Sequence, residues 1–218
     1  MKLAFQIEVF GEYACFTRPE MKVERVSYDV MTPSAARGIL EAIYWHPGMK
    51  WVINRIHVLS PIRFTNIRRN ELPGKISAGN VRRAMNGTEI RLSADTSEHQ
   101  QRATMVLRDV RYVIDAHFEL TDKANPGDNA GKFTDIMRRR LEKGQCYHQP
   151  CFGTREFPAA FLPWRGGDIQ TSYPGERRDL GFMLYDMDYS DPENITPLFF
   201  RAVLENGTLE LTDCEVFR

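Results

Sequence analysis

No stretch of this 218-residue chain comes near the roughly 20 consecutive apolar residues that a membrane-spanning helix requires. The opening MKLAFQIEVF alternates apolar and polar residues and lacks the continuous apolar core of an export signal. A cytoplasmic protein with no membrane partner is therefore expected. Cysteine is scarce: Cys15, Cys146, Cys151 and Cys214 are too few for the disulfide framework of a small secreted fold. Cys146, His148 and Cys151 lie close together but not at a zinc-finger spacing. The sequence has no glycine-rich phosphate loop, no G-x-S-x-G elbow and no H-E-x-x-H helix, and no grouping of carboxylates resembles a two-metal site. A nuclease built on this chain is expected to work by acid–base chemistry, with no cofactor and no metal.

An excess of one charge sign is also lacking, since the formal net charge is zero. The two signs are nevertheless segregated. Residues 62–91 carry seven Arg and Lys against Glu71 and Glu89, a net +5. Residues 182–218 carry eight carboxylates against Arg201 and Arg218, a net −6. Such a division suits one face for a polyanion and another for protein, although solvated surfaces of opposite sign would look the same.

What is present is a clear alternation of element types. Leu3, Phe5, Ile7 and Val9 fall on one side of an extended segment, the period of a half-buried strand. Residues 17–33 read as a polar loop. Ser34 is the expected cap of a helix whose apolar stripe is Ala36, Ile39, Leu40 and Ile43, ended by Pro47-Gly48. Residues 50–70 predict two strands around Ser60-Pro61, and 71–99 an irregular basic excursion. A long strand is expected from about Met105 to Leu120, a helix over about 130–143 ended by Gly144, and an extended piece over 151–161.

The order β-α-β-(β)-β-α-β is that of the split β-α-β unit of an α+β, ferredoxin-like domain with helices on one sheet face. The expected organisation is such a domain over 1–165, with a basic insertion at about 62–99. After a linker, 166–218 would form a small antiparallel C-terminal sheet with a hairpin at Asn206-Gly207.

Within the long strand, Tyr112, Ile114, Ala116 and Phe118 point to the core side. Arg111, Asp115, His117 and Glu119 point to the other, expected to be open. An uncovered sheet face of this kind commonly reads single-stranded RNA. The first helix ends in Tyr44, Trp45 and His46, a phenol, an indole and an imidazole at one chain break. Core packing is the simpler reading of Trp45, and a residue merely preceding Pro47 that of His46.

Four blocks carry a resemblance: 11–45 (GEYACFTRPEMKVERVSYDVMTPSAARGILEAIYW), 112–124 (YVIDAHFELTDKA), 128–140 (DNAGKFTDIMRRR) and 149–159 (QPCFGTREFPA). They resemble the CRISPR-associated Cas-five family in its subtype I-C (Dvulg-type) form, of the RAMP superfamily. The resemblance implies a metal-independent endoribonuclease that cleaves CRISPR repeat RNA at the 3′ base of its hairpin. The 2′-OH would attack the phosphate and leave a 2′,3′-cyclic phosphate. The enzyme would then keep the 5′ handle beside the other subunits of a Cascade-type complex.

The family's tyrosine corresponds to Tyr44 and its histidine to His117, while its lysine falls on Ala116. Arg111 or Lys123 is the expected substitute for that lysine. Tyr44 would orient the 2′-OH and His117 would protonate the leaving 5′-oxygen. Arg18, Lys22, Arg25, Arg37, Arg68, Arg69, Arg82 and Arg83 are the expected phosphate contacts. The alternatives are a non-catalytic subunit that holds the handle and a general binder of duplex nucleic acid, double-stranded DNA included.

Overall fold

A computed structural model of the chain describes residues 4–21, 23–72, 74–90 and 99–218. Leu3 and Lys22 therefore lie outside the described residues. In strand β1 (Phe5–Ala14), Phe5, Ile7 and Val9 are buried, as the alternation requires. Helix α1 (Pro33–Ile43) is capped by Thr32, not Ser34: the Thr32 hydroxyl accepts the Ala35 N–H at 3.2 Å, and Pro33 occupies the first turn where its missing N–H costs nothing. Ala36, Ile39, Leu40 and Ile43 form its buried stripe.

Strand β2 (Met49–Val58) follows, then β3 (Phe64–Glu71), helix α2 (Ala78–Met85) and the long strand β4 (Gln100–Leu120). Helix α3 (Ala130–Lys143) has Asn129 as its cap and stops at Gly144, whose left-handed φ of 61° only glycine adopts without strain. Strands β5 (Ala160–Pro163), β6 (Arg177–Asp188), β7 (Thr196–Glu205), β8 (Thr208–Glu210) and β9 (Val216–Phe217) complete the chain. Among the described residues the fold thus mixes three helices with one antiparallel sheet.

The sheet runs β5-β1-β4-β2-β8-β7-β6, with β3 on the outer half of β4 and β9 on β7. Two expectations are corrected here. The C-terminal strands are not a separate sheet: β8 pairs with β2 at Arg55↔Glu210, Ile56↔Leu209 and His57↔Thr208, so they extend the first sheet. Ion pairs reinforce that seam. Arg55 meets Glu210 at 2.5 Å, and Arg37 on α1 is held by Asp186 of β6 through two hydrogen bonds of 2.7 and 3.1 Å. The expected hairpin is nonetheless present, with Asn206 and Gly207 both at positive φ, the turn that matches strand twist.

The second correction concerns 74–90, where α2 occupies Ala78–Met85 of the expected irregular excursion; 73 and 91–98 lie outside the described residues. Ser77 caps it by accepting the Asn80 N–H. None of its residues is buried, and at eight residues it is too short for a helical period to stand out in sequence. Similarly, 151–158 is a turn closed by Cys151 and Pro158, and extended structure begins only at Ala160. Gly153 in this turn approaches Cys15 so closely that a Cβ would lie 2.0 Å from its carbonyl oxygen.

Candidate nucleic-acid interface

The core side of the sheet is fixed by aromatic packing. Phe118 of β4 meets Phe5, Trp51 and Phe133, so the helices α1 and α3 cover this face. Tyr44 belongs to the same side. Its backbone is extended and ends α1, while its N–H still donates to Leu40 O. The buried indole N–H of Trp51 donates to Tyr44 O at 2.9 Å, which satisfies the indole and pins the chain at the point where it leaves the helix. The Tyr44 ring lies 6.1 Å from Phe133, and the Arg140 guanidinium sits 5.0 Å over it while donating to Ile43 O.

Polar groups collect at this corner. His46 packs 5.1 Å from Phe133, and its Nδ1 accepts the Gly48 N–H at 3.0 Å. That bond leaves the proton of the neutral ring on Nε2. Asp128 lies 3.7 Å from the same Nδ1 and accepts from Lys132 Nζ at 2.7 Å. The lysine bond draws the Asp128 carboxyl below its usual range, and Asp128 raises Lys132 in turn. Burial pushes the Tyr44 phenol above its ordinary value, and the nearby charges of Arg140 and Lys132 do not offset it. Tyr44 is thus a protonated phenol at neutral pH, suited to hydrogen bonding and not to acting as a resident base.

His117 is elsewhere. As the strand neighbour of Phe118 it projects from the opposite face, where its Nδ1 lies 2.9 Å from Asn54 Oδ1 and its Nε2 3.7 Å from Glu119. Asn54 and Glu119 are not among the groups that surround Tyr44. His117 is 8% exposed, about as buried as Tyr44 at 7%. Its face is a row of paired groups: His57 with Asp115 and Thr208, and Arg111 with Glu8 at 2.5 Å. A groove of about 780 Å³ on that face is rimmed by Glu8, Glu12, Asp109 and Arg111, a sign unsuited to phosphate.

Arg111, with its carboxylate partner, does not approach Tyr44. Lys123 does lie toward the Tyr44 end and is exposed. The adjoining turn is tied back by Thr121, whose N–H donates to Gly48 O and whose hydroxyl donates to Pro47 O. The cation at the phenol is instead Arg140, 5.0 Å over its ring, with Lys132 acting on it through its field, both on a helix whose distance in sequence from Tyr44 gave no signal of contact.

The expected phosphate contacts divide in two. Arg18 pairs with Asp29, Arg25 with Glu71, Arg37 with Asp186 and Glu41, and Arg69 with Glu156 and Glu71. Arg68 on β3 and Arg82 and Arg83 on α2 are exposed. Among the described residues no three His, Cys, Asp or Glu side chains converge as metal ligands, and no helix is long and apolar enough to cross a membrane.

A family model described as CRISPR-associated protein (Cas_Cas5), of the Cas5d type, matches residues 5–212. The chain belongs to the Cas5d family. Two curated relatives, each named CRISPR pre-crRNA endoribonuclease Cas5d, agree. The protein of Mannheimia succiniciproducens is 50% identical over 94% of this chain and 93% of its own length. That of Thermus thermophilus is 39% identical over 94% of this chain and 90% of its own. A crystal structure of a CRISPR-associated protein superposes with a TM-score of 0.72 at 25% identity, covering 100% of this Cas5d-family chain and 97% of that one.

Proposed function

We propose that this Cas5d-family chain is a cytoplasmic CRISPR pre-crRNA endoribonuclease. It cuts repeat RNA at the 3′ base of its hairpin and keeps the 5′ handle as a subunit of a type I-C Cascade complex. The observation that carries this reading is the convergence of the Tyr44 phenol, the His46 imidazole and the Lys132 ammonium at one corner of the helix-covered side. The names of the two relatives point the same way. The order β5-β1-β4-β2, with α1 and α3 on one face, supports a ferredoxin-like description of residues 1–165.

In the reaction the 2′-oxygen forms a bond to phosphorus and loses its proton to solvent, while the P–O5′ bond breaks and O5′ gains a proton. The Tyr44 phenol hydrogen-bonds the attacking hydroxyl and aligns it. Lys132 and Arg140 offset charge that grows on the phosphate oxygens, the task first assigned to a lysine at Ala116. His46 takes the proton-donor role, its protonated Nδ1 then turning from the Gly48 N–H to the Asp128 carboxylate. It shares the Tyr44 side and His117 does not. Lys132 also removes the main ground for a non-catalytic handle-holding subunit, which was the missing lysine.

The test is cleavage of the cognate repeat RNA in excess EDTA, beside a substrate with 2′-deoxyribose upstream of the cut. The native RNA should be cut to a 2′,3′-cyclic phosphate and the deoxy substrate should resist. Tyr44→Phe and His46→Ala should each slow the cut about 100-fold without loss of binding. RNA that binds tightly and stays intact would make the chain a handle-holding subunit. Equal competition by unrelated duplex DNA would make it a general duplex binder.

A further inference from the structure

Trp45 follows Tyr44 in extended backbone, so the two rings point opposite ways: Tyr44 inward, Trp45 out to solvent at 55% exposure. The other tryptophans differ, Trp51 being buried and Trp164 half-buried. Beside Trp45, the chain leaving α3 folds back on α1, and the N–H groups of Tyr147 and His148 both point to Ala42 O, at 2.9 and 3.3 Å. This anchors Tyr147, 83% exposed, to the last turn of α1 at Ala42, three residues before Trp45, with the His148 ring against it at 5.8 Å. Two large rings thus stand exposed on rigid backbone at the corner that holds Tyr44.

The charge around them favours a polyanion. Three nearby carboxylates have counter-ions, Glu41 with Arg37, Asp128 with Lys132 and Glu142 with Arg165, while Asp135 lies exposed one turn before Arg139. Arg139 and Lys143, one turn apart on α3, remain exposed and uncountered by any of these three. Flat π-faces beside cations on a surface leading to a catalytic corner are the means by which proteins hold unpaired bases without reading their sequence. We infer that Trp45 and Tyr147 form a stacking site for unpaired nucleotides flanking the cut. The inference rests on the ribonuclease reading of the Tyr44 corner.

The experiment measures affinity for a dodecamer of oligouridylate and for the repeat RNA, with Trp45→Ala, Tyr147→Ala and Trp45→Phe beside the unaltered chain. Trp45→Ala and Tyr147→Ala should each weaken oligouridylate binding by about five- to a hundred-fold. Trp45→Phe should keep most of the affinity, since a ring still stacks. Affinity for a blunt RNA duplex should not change, and melting temperatures should stay close to that of the unaltered chain because both side chains are exposed. Unaltered oligouridylate affinity in both alanine variants would overturn the inference while leaving the nuclease intact. Unaltered affinity coupled to loss of assembly with other Cascade subunits would assign the patch to protein docking, also overturning it. Conversely, an unaltered chain that leaves repeat RNA uncut but loses oligouridylate affinity on Trp45→Ala supports the stacking site and sinks the nuclease reading alone.

Discussion

The two sides of strand β4 carry similar inventories and behave differently. Each offers a histidine, carboxylates and cations, yet on the His117 side the groups are matched into a row. Asn54 meets His117, Asp115 meets His57 and Glu8 meets Arg111. On the Tyr44 side the same types converge from α1, α3 and the turn between α1 and β2, and they surround a phenol with an exposed indole next to it. Groups paired along neighbouring strands hold a sheet together. Groups delivered from separate elements to one corner can grip a ligand.

The comparison breaks most sharply at Lys132. Lys132→Ala should lower the cleavage rate about 100-fold, read in single-turnover assays, with repeat affinity changed much less. A rate within threefold of the unaltered chain would move the chemistry away from this corner. Next in size is Arg37→Ala, which leaves Asp186 and Glu41 without their guanidinium at the seam between α1 and β6. It should cost about 2 kcal/mol in urea unfolding and leave the Tyr44 corner intact. Free phosphate-binding character at Arg37 would instead show as lost RNA affinity with little loss of stability.

His117→Ala sharpens the contrast from the other face. It should lower stability by about 1 kcal/mol through the Asn54 hydrogen bond and slow cleavage less than threefold. A 100-fold loss of rate there would restore His117 as the proton donor.

The smallest effect concerns alkaline pH. Burial raises the Tyr112 phenol far above its ordinary value, and raises Tyr28, Tyr44 and Tyr185 as well. Unfolding lets such groups ionise, so the stability they contribute is complete below pH ~10 and is lost as pH rises beyond it. Melting temperature should fall less steeply above pH ~10 in Tyr112→Phe than in the unaltered chain.

Much of this was legible in the linear pattern. The stripe of α1, the stripe and closing glycine of α3, the alternation of β1 and the Asn-Gly hairpin each follow from a local period or a local turn. Helix α2 escaped because it spans only eight residues, so the face marked by Val81 and Met85 has too few repeats to show a period. The site was half legible. Tyr44 stood out at the end of its helix, and His117 by its acidic neighbours in sequence, of which Asp115 in fact pairs with His57 and Glu119 lies 3.7 Å from His117. Lys132 and Arg140 gave no signal, because helix packing alone sets them beside Tyr44. Arg18, Arg25, Arg37 and Arg69 read as free cations until their carboxylates, some far along the chain, were seen against them.

By itself the sequence determined which segments become helix and strand, because hydrophobic period and turn chemistry act over a few residues. Long specific blocks also carried the resemblance to the Cas5d family. Tertiary structure alone decided which side of the sheet is covered, which charges are already paired and which residues meet at Tyr44. Those depend on contacts between elements far apart in the chain, where a side chain's neighbours in space are set by packing and not by its neighbours in sequence.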